Sequence, residues 1–289
     1  MFCPLNDSFC KSLQILSSNV WHDLQDAITY NSPLHEESIT QYNSLELNRR
    51  HKFKNRIHQF SKRKESKNGA DWMWMFYDPG TLNYIGAAVQ AKRLYETGKY
   101  DALSLNQAQK LIRYSNLLQF NNVVPLYIFY NHPGIRFSRP EFYRKLNRIG
   151  SFRYLDPPAD LGCTFLHAQH LIYSGILRST KPFDLSPHMR PWWHLACKCS
   201  LSSGKDSPTD ELQQLSKILQ SGLLSRPDFF IDPTQADGPL REWLMGEELP
   251  DGKLEHLFGL DEINPEDPDA FSPEFVLVTK IGKSESEPQ

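Results

Sequence analysis

Asp71, Gln90 and Lys92 are the residues of this chain whose types and spacing best suit chemistry. Asp71 stands in Gly69-Ala70-Asp71-Trp72-Met73-Trp74, and about twenty residues later Gln90 and Lys92 flank Ala91 in Val89-Gln90-Ala91-Lys92-Arg93. A carboxylate, an amide and an ammonium group held together are what a metal-dependent phosphodiesterase requires. Mg²⁺ takes hard oxygen ligands and keeps several waters, so Asp71, the side-chain oxygen of Gln90 and the backbone carbonyl of Ala91 would form the protein's share of a Mg²⁺ or Mn²⁺ site. Lys92 would stabilise charge developing on the phosphorus or orient the attacking water, which a divalent cation makes nucleophilic near neutral pH. Gln90 in place of a carboxylate leaves the site one negative charge short. A second acid is therefore expected, and Glu46 in the helical-looking segment 37–50 is the candidate.

The flanking pattern positions these groups. From Asp71 to Phe76 the residues alternate, with Asp71, Met73 and Met75 on one face of a strand and Trp72, Trp74 and Phe76 on the other. Asp78-Pro79-Gly80 makes a turn, and a second strand follows over about 84–92. Its small residues, Ala87, Val89 and Ala91, share one face and can pack beside the tryptophan rings. That arrangement leaves Asp71, Gln90 and Lys92 together on the opposite face of one hairpin.

At these residues the chain resembles the PD-(D/E)xK nuclease superfamily, and within it the Mrr-like restriction endonuclease branch, in which Gln commonly replaces the second acid of the motif. The resemblance covers roughly residues 35–135, with Ala70 where the superfamily's name has proline. It implies an α/β fold built on a restriction-endonuclease-like mixed central sheet with flanking helices. Its elements are a helix over 37–50, strands over 53–62, 71–77 and 84–93, a helix over 105–120 and a strand over 123–130. It also implies a metal-dependent nuclease, with DNA preferred, Mg²⁺ or Mn²⁺ as cofactor, Asp71, Gln90 and Lys92 in the catalytic set with Glu46 as auxiliary acid, and a role in defence against foreign DNA. Double-strand cleavage by such enzymes usually needs two active sites, which makes a homodimer an expectation.

Charge is unevenly distributed. The 289-residue chain has a formal net charge of −2, which argues against a uniformly basic coat. Arg49, Arg50, Lys52, Lys54, Arg56, Lys62, Arg63, Lys64 and Lys67 nevertheless cluster just before Asp71 with only Glu65 among them. On the first strand and the loop after it, this run would contact phosphates and give salt-dependent binding. Solvated basic residues protecting a sheet edge are the plainer alternative. From Asp206 onward there are nineteen acids against six bases, a segment unsuited to a phosphate backbone.

Punctuation by Pro133-Gly134, Arg139-Pro140 and Asp156-Pro157-Pro158 suggests three regions. These are an N-terminal helical extension (1–35), the catalytic core (36–150) and a C-terminal helix and loop elaboration packed on it (151–289). A helix over 162–177 is expected to carry Cys163, His167 and His170 on one face, with a helix over 209–221 and a strand over 275–280 later. With His188, His194, Cys197 and Cys199 nearby, those residues could build a zinc site, although buried core packing explains them more simply. Five cysteines without a paired framework, no signal peptide and no long apolar run fit a cytoplasmic protein with reduced thiols and no membrane partner. Two other classes compete with a nuclease: a non-cleaving nucleic-acid-binding module on the same scaffold, and an interaction protein organised by the acidic C-terminal part.

Overall fold

The computed structural model describes residues 9–51, 55–78, 80–100, 103–118, 122–133, 161–173, 180–196, 215, 234–236, 238–245 and 257. The chain starts with helices α1 (Phe9–Thr29) and α2 (Glu36–His51), then strand β1 (Asn55–Gln59) and helix α3 (Lys62–Asn68). Strands β2 (Trp72–Tyr77) and β3 (Asn83–Arg93) form the expected hairpin. Helix α4 (Leu105–Leu117) then leads to β4 (Val123–Tyr130). Beyond residue 150 come β5 (Cys163–His167), α5 (Ala168–Tyr173), α6 (Pro182–Leu185), β6 (Arg190–Pro191), a 3₁₀ turn (Trp192–Leu195), β7 (Thr234–Gln235) and α7 (Gly238–Met245).

One mixed sheet joins all of these strands in the order β1-β2-β3-β4-β5-β6, with β7 pairing the start of β3. Only β3 and β4 run parallel, because α4 carries the chain across between them. The α-β-β-β-α-β order and the mixed sheet with helices on both faces agree with a restriction-endonuclease-like α/β fold. Residues after 150 contribute β5, β6 and β7 to this same sheet.

Both faces of the central strands are buried, and alternation decides which residue goes where. Trp72, Trp74 and Phe76 pack with Ala87, Val89 and Ala91 and with Leu13, Leu16 and Val20 of α1. The register sets Trp72 opposite Val89 and Trp74 opposite Ala87, so small residues make room for the indoles. Met73 and Met75 face the other way, with Ala88, Tyr127 and the Ala108 and Leu111 side of α4. The α1 helix belongs to this core: Trp192 Nε1 donates to its Leu13 carbonyl at 2.7 Å, and Cys163 N donates to Ser17 Oγ at 2.8 Å. Gly162 permits that approach, since a Cβ there would lie 1.9 Å from the Ser17 carbonyl oxygen.

Three expectations change. The stretch expected as a helix over 162–177 begins instead as strand β5, whose five residues are all buried, and turns helical only at Ala168. Cys163 and His167 thus lie at opposite ends of a strand, about 13 Å apart at strand rise, too far to share a metal. Among the described residues no group of three His, Cys, Asp or Glu side chains could hold a metal ion. Secondly, residues 62–68 are not strand or loop but helix α3, closed by Gly69 in the left-handed conformation at φ 73°. Thirdly, Cys10 is disulfide-bonded, and because Cys163 is free, its partner lies outside the described residues. The helix expected over 209–221, Leu215 apart, and the strand over 275–280 also lie outside them. Among the described residues no helix is long and apolar enough to cross a membrane.

Candidate functional site

The turn from α3 into β2 sets Asp71. Gly69 accepts a left-handed backbone there, and a Cβ on it would come within 3.0 Å of backbone atoms of Gln107 and Leu111, so α3 and α4 close tightly over this point. Asn68 Oδ1 accepts from Ala70 N at 2.9 Å, and Asp71 N donates to the Val89 carbonyl at 2.7 Å, which docks the start of β2 on β3. Asp71 then projects toward the far end of β3. Its Oδ2 accepts from Ala91 N at 2.5 Å and from Gln90 Nε2 at 2.6 Å. Sequence alternation thus does bring Asp71, Gln90, Ala91 and Lys92 together on one hairpin, on the α4 side of the sheet.

The second acid is not Glu46. Glu46 Oε1 and Oε2 are held by Arg49 Nη1 and Arg50 Nη2, each at 2.9 Å, on the same helix. Glu36, ten positions earlier and so about 15 Å away along the axis, opens α2 and reaches the end of β3. Its Oε2 accepts from Arg93 N at 2.7 Å. The helix was legible in the sequence; which of its acids meets the hairpin depends on where the helix sits against the sheet. Three more residues missed by sequence reasoning complete the surroundings: Glu65 on α3, Gln107 in the first turn of α4, and Tyr127 opposite Gln90 on β4. Gln107 Nε2 donates to Gln90 Oε1 at 2.8 Å, which fixes the amide. An acid in the first helical turn, as at Glu36, was the one available sequence signal.

The electrostatics follow from crowding of acids in a dry place. Burial raises the Asp71 carboxyl well above the ordinary range, and Glu65 and Glu36 add to the rise; the Ala91 N–H and Lys92 oppose it. Burial likewise raises Glu36, against the pull of Lys92 and of the Arg93 N–H. Burial also raises the Tyr127 phenol, helped by Asp71, and its hydroxyl has no hydrogen-bond partner. Buried acids that resist ionisation because other acids stand nearby form a place where a cation is favoured. The donor set suits a hard divalent ion: the Asp71 carboxylate, the Ala91 carbonyl, the Gln90 amide oxygen and, through water, Glu36.

The basic residues divide. Arg63 is exposed, Lys64 and Lys67 are half-buried on α3, and Lys62 is exposed but ion-paired with Glu37 at the start of α2. Arg49 and Arg50 are largely exposed although each bonds Glu46. Arg56 turns away: it donates to the Trp243 carbonyl and lies 5.1 Å from the centre of that indole ring. Lys52 and Lys54 lie outside the described residues. The remaining basic groups line the short helix that leads into Asp71.

A comparison with curated proteins returns no match. Residues 9–279 match a protein family described as a family of unknown function (DUF6615), and since that match spans nearly all of the sequence, the chain belongs to this family.

Proposed function

We propose that this protein is a metal-dependent nuclease that hydrolyses phosphodiester bonds, with DNA as the substrate and Mg²⁺ or Mn²⁺ as the cofactor. The observation that carries the reading is the convergence of Asp71, Gln90, Ala91 and Lys92 at the end of one hairpin, with Glu36 supplied from α2. Asp71, the Ala91 carbonyl and the Gln90 side-chain oxygen would hold the cation, with Glu36 in the place first given to Glu46. When bound, that ion supplies Lewis acidity and lowers the pKa of water. Lys92, itself buried, would meet the charge that develops on the phosphoryl oxygens. Lys64, Lys67 and Arg63 on α3 would follow the phosphate backbone toward Asp71, which implies salt-dependent affinity. A place in defence against foreign DNA rests on the resemblance alone.

One observation favours a second reading, a nucleic-acid-binding module that does not cut. The Gln90 NH₂ already faces Asp71, and Gln107 holds the Gln90 carbonyl, so the amide stands where a cation would. An assay on linear, circular and single-stranded DNA and on RNA, with and without Mg²⁺ or Mn²⁺, separates the two. Metal-dependent cleavage that disappears in Asp71→Ala and Lys92→Ala supports the nuclease. Binding without cleavage in either metal supports the module, and cleavage that survives both substitutions refutes the site.

A further inference from the structure

Two buried polar atoms around Gln90 have no hydrogen-bond partner: Gln107 Oε1 and the Tyr127 hydroxyl. A buried carbonyl left without a donor is costly, on the order of 1–3 kcal/mol, so an arrangement that uses it would be favoured if nothing opposed it. For Gln107 that arrangement is a half-turn of two amides. With both side chains reversed, Gln90 Nε2 would donate to Gln107 Oε1 along the 2.8 Å contact that now runs the other way. What opposes the reversal is Asp71. It would then face the Gln90 oxygen across 2.6 Å in place of the Gln90 NH₂, and two oxygens at that distance need a cation beside them.

We infer that Gln107 is a positioning residue of a two-state amide relay. Without a cation, Gln90 gives its NH₂ to Asp71 and its oxygen to Gln107. With a cation, both amides reverse, the Gln90 oxygen joins Asp71 as a ligand, and Gln107 Oε1 accepts the displaced NH₂. The inference rests on the proposed cation site and adds to it a residue and a conformational step. It also explains why Gln stands at position 90. A glutamate there has two oxygens and needs no reversal, whereas Gln90 binds a cation well only if something receives its NH₂.

The test is a double-mutant cycle read by Mn²⁺ affinity, measured by calorimetry on the full chain without any nucleic acid. Gln107→Met keeps length and removes both hydrogen-bonding atoms. It is expected to weaken Mn²⁺ binding about tenfold in the Gln90 protein, the effect of one lost hydrogen bond of about 1.4 kcal/mol. In a Gln90→Glu background the same change is expected to alter affinity less than about twofold. Gln107→Asn, which keeps the amide on a shorter arm, serves with circular dichroism to show that the fold is retained. Equal losses in the two backgrounds, or no loss in either, would overturn the relay while leaving the cation site standing. A wild type that binds no Mn²⁺, with Asp71→Ala giving the same null titration, removes the cation site and the relay with it.

Discussion

Replacing Asp71 by Asn should make the protein more stable at pH 8. Asp71 is held above the ordinary carboxylate range chiefly by burial, then by Glu65 and Glu36, and the Ala91 N–H and Lys92 do not fully offset these. Its native pKa therefore exceeds its unfolded one, and the native state holds the proton more tightly. The stability this contributes is complete below the unfolded carboxylate range, near pH 3.9, and is lost as pH rises through the raised native value. Asparagine keeps the shape and an acceptor for Ala91 N while removing the charge. Making the two Oδ2 contacts, at 2.5 and 2.6 Å, neutral sacrifices about 1–1.5 kcal/mol each. That loss is smaller than the burial and repulsion relieved, because the carboxyl is raised despite its hydrogen bond to Ala91 N. Each unit of the rise is worth about 1.4 kcal/mol, or roughly 3–5 °C in melting temperature for a chain of this size. Melting curves from pH 4 to pH 8 provide the assay. The variant should melt above the wild type at pH 8, and the difference should shrink toward pH 4. Mn²⁺ at a hundred times its dissociation constant should recover about 2.7 kcal/mol in the wild type and leave the variant unmoved. An Asn variant that melts lower than the wild type at pH 8 would refute the reasoning, since Asp71 would then be a structural anion and not a strained ligand.

Three further outcomes follow from the same structure. Glu36→Gln should weaken Mn²⁺ binding several-fold, whereas Glu46→Gln, which only releases Arg49 and Arg50, should leave it within about twofold; calorimetry distinguishes them. Replacing Arg63, Lys64 and Lys67 together by Ser should reduce the slope of log affinity for duplex DNA against log salt by about 2.7, the value for three phosphate contacts, as read by fluorescence anisotropy. Burial holds the His167 imidazole down at about 3, with His170 contributing, so its neutral form is the native one. Stability should fall as pH drops below the unfolded histidine value near 6.5 and toward 3, and His167→Asn should flatten that limb of the melting profile.

The hairpin was legible because alternation with a period of two admits only one assignment of faces, and Trp72 and Trp74 need the small partners that Ala87 and Val89 provide. Helix α4 was legible for the same kind of reason, an apolar stripe opposite a polar one, and Ser104 caps it by accepting from Gln107 N at 3.1 Å. Helix α3 was not, because seven residues rich in Lys have no apolar period; its signals were Ser61 before it and Gly69 after it. Strand β5 was misread because Cys-Thr-Phe-Leu-His is a short apolar run adjoining a true helix, and periodicity cannot separate strand from helix over five residues. In the site, residues on the hairpin were found by pattern, whereas Glu36, Glu65, Gln107 and Tyr127 arrive from four other elements. Their meeting is set by packing between layers, which no local pattern encodes.

The most direct measurement is the rate of cleavage of supercoiled plasmid by wild type and Asp71→Ala, purified in parallel and assayed with Mg²⁺, with Mn²⁺ and with excess chelator. Cleavage by the wild type in metal alone, reduced by at least a thousandfold in the variant and restored to the wild type when metal exceeds chelator, is the predicted result. Equal cleavage by the two proteins, or cleavage that persists in chelator, would contradict a metal-dependent site at Asp71, Gln90 and Lys92.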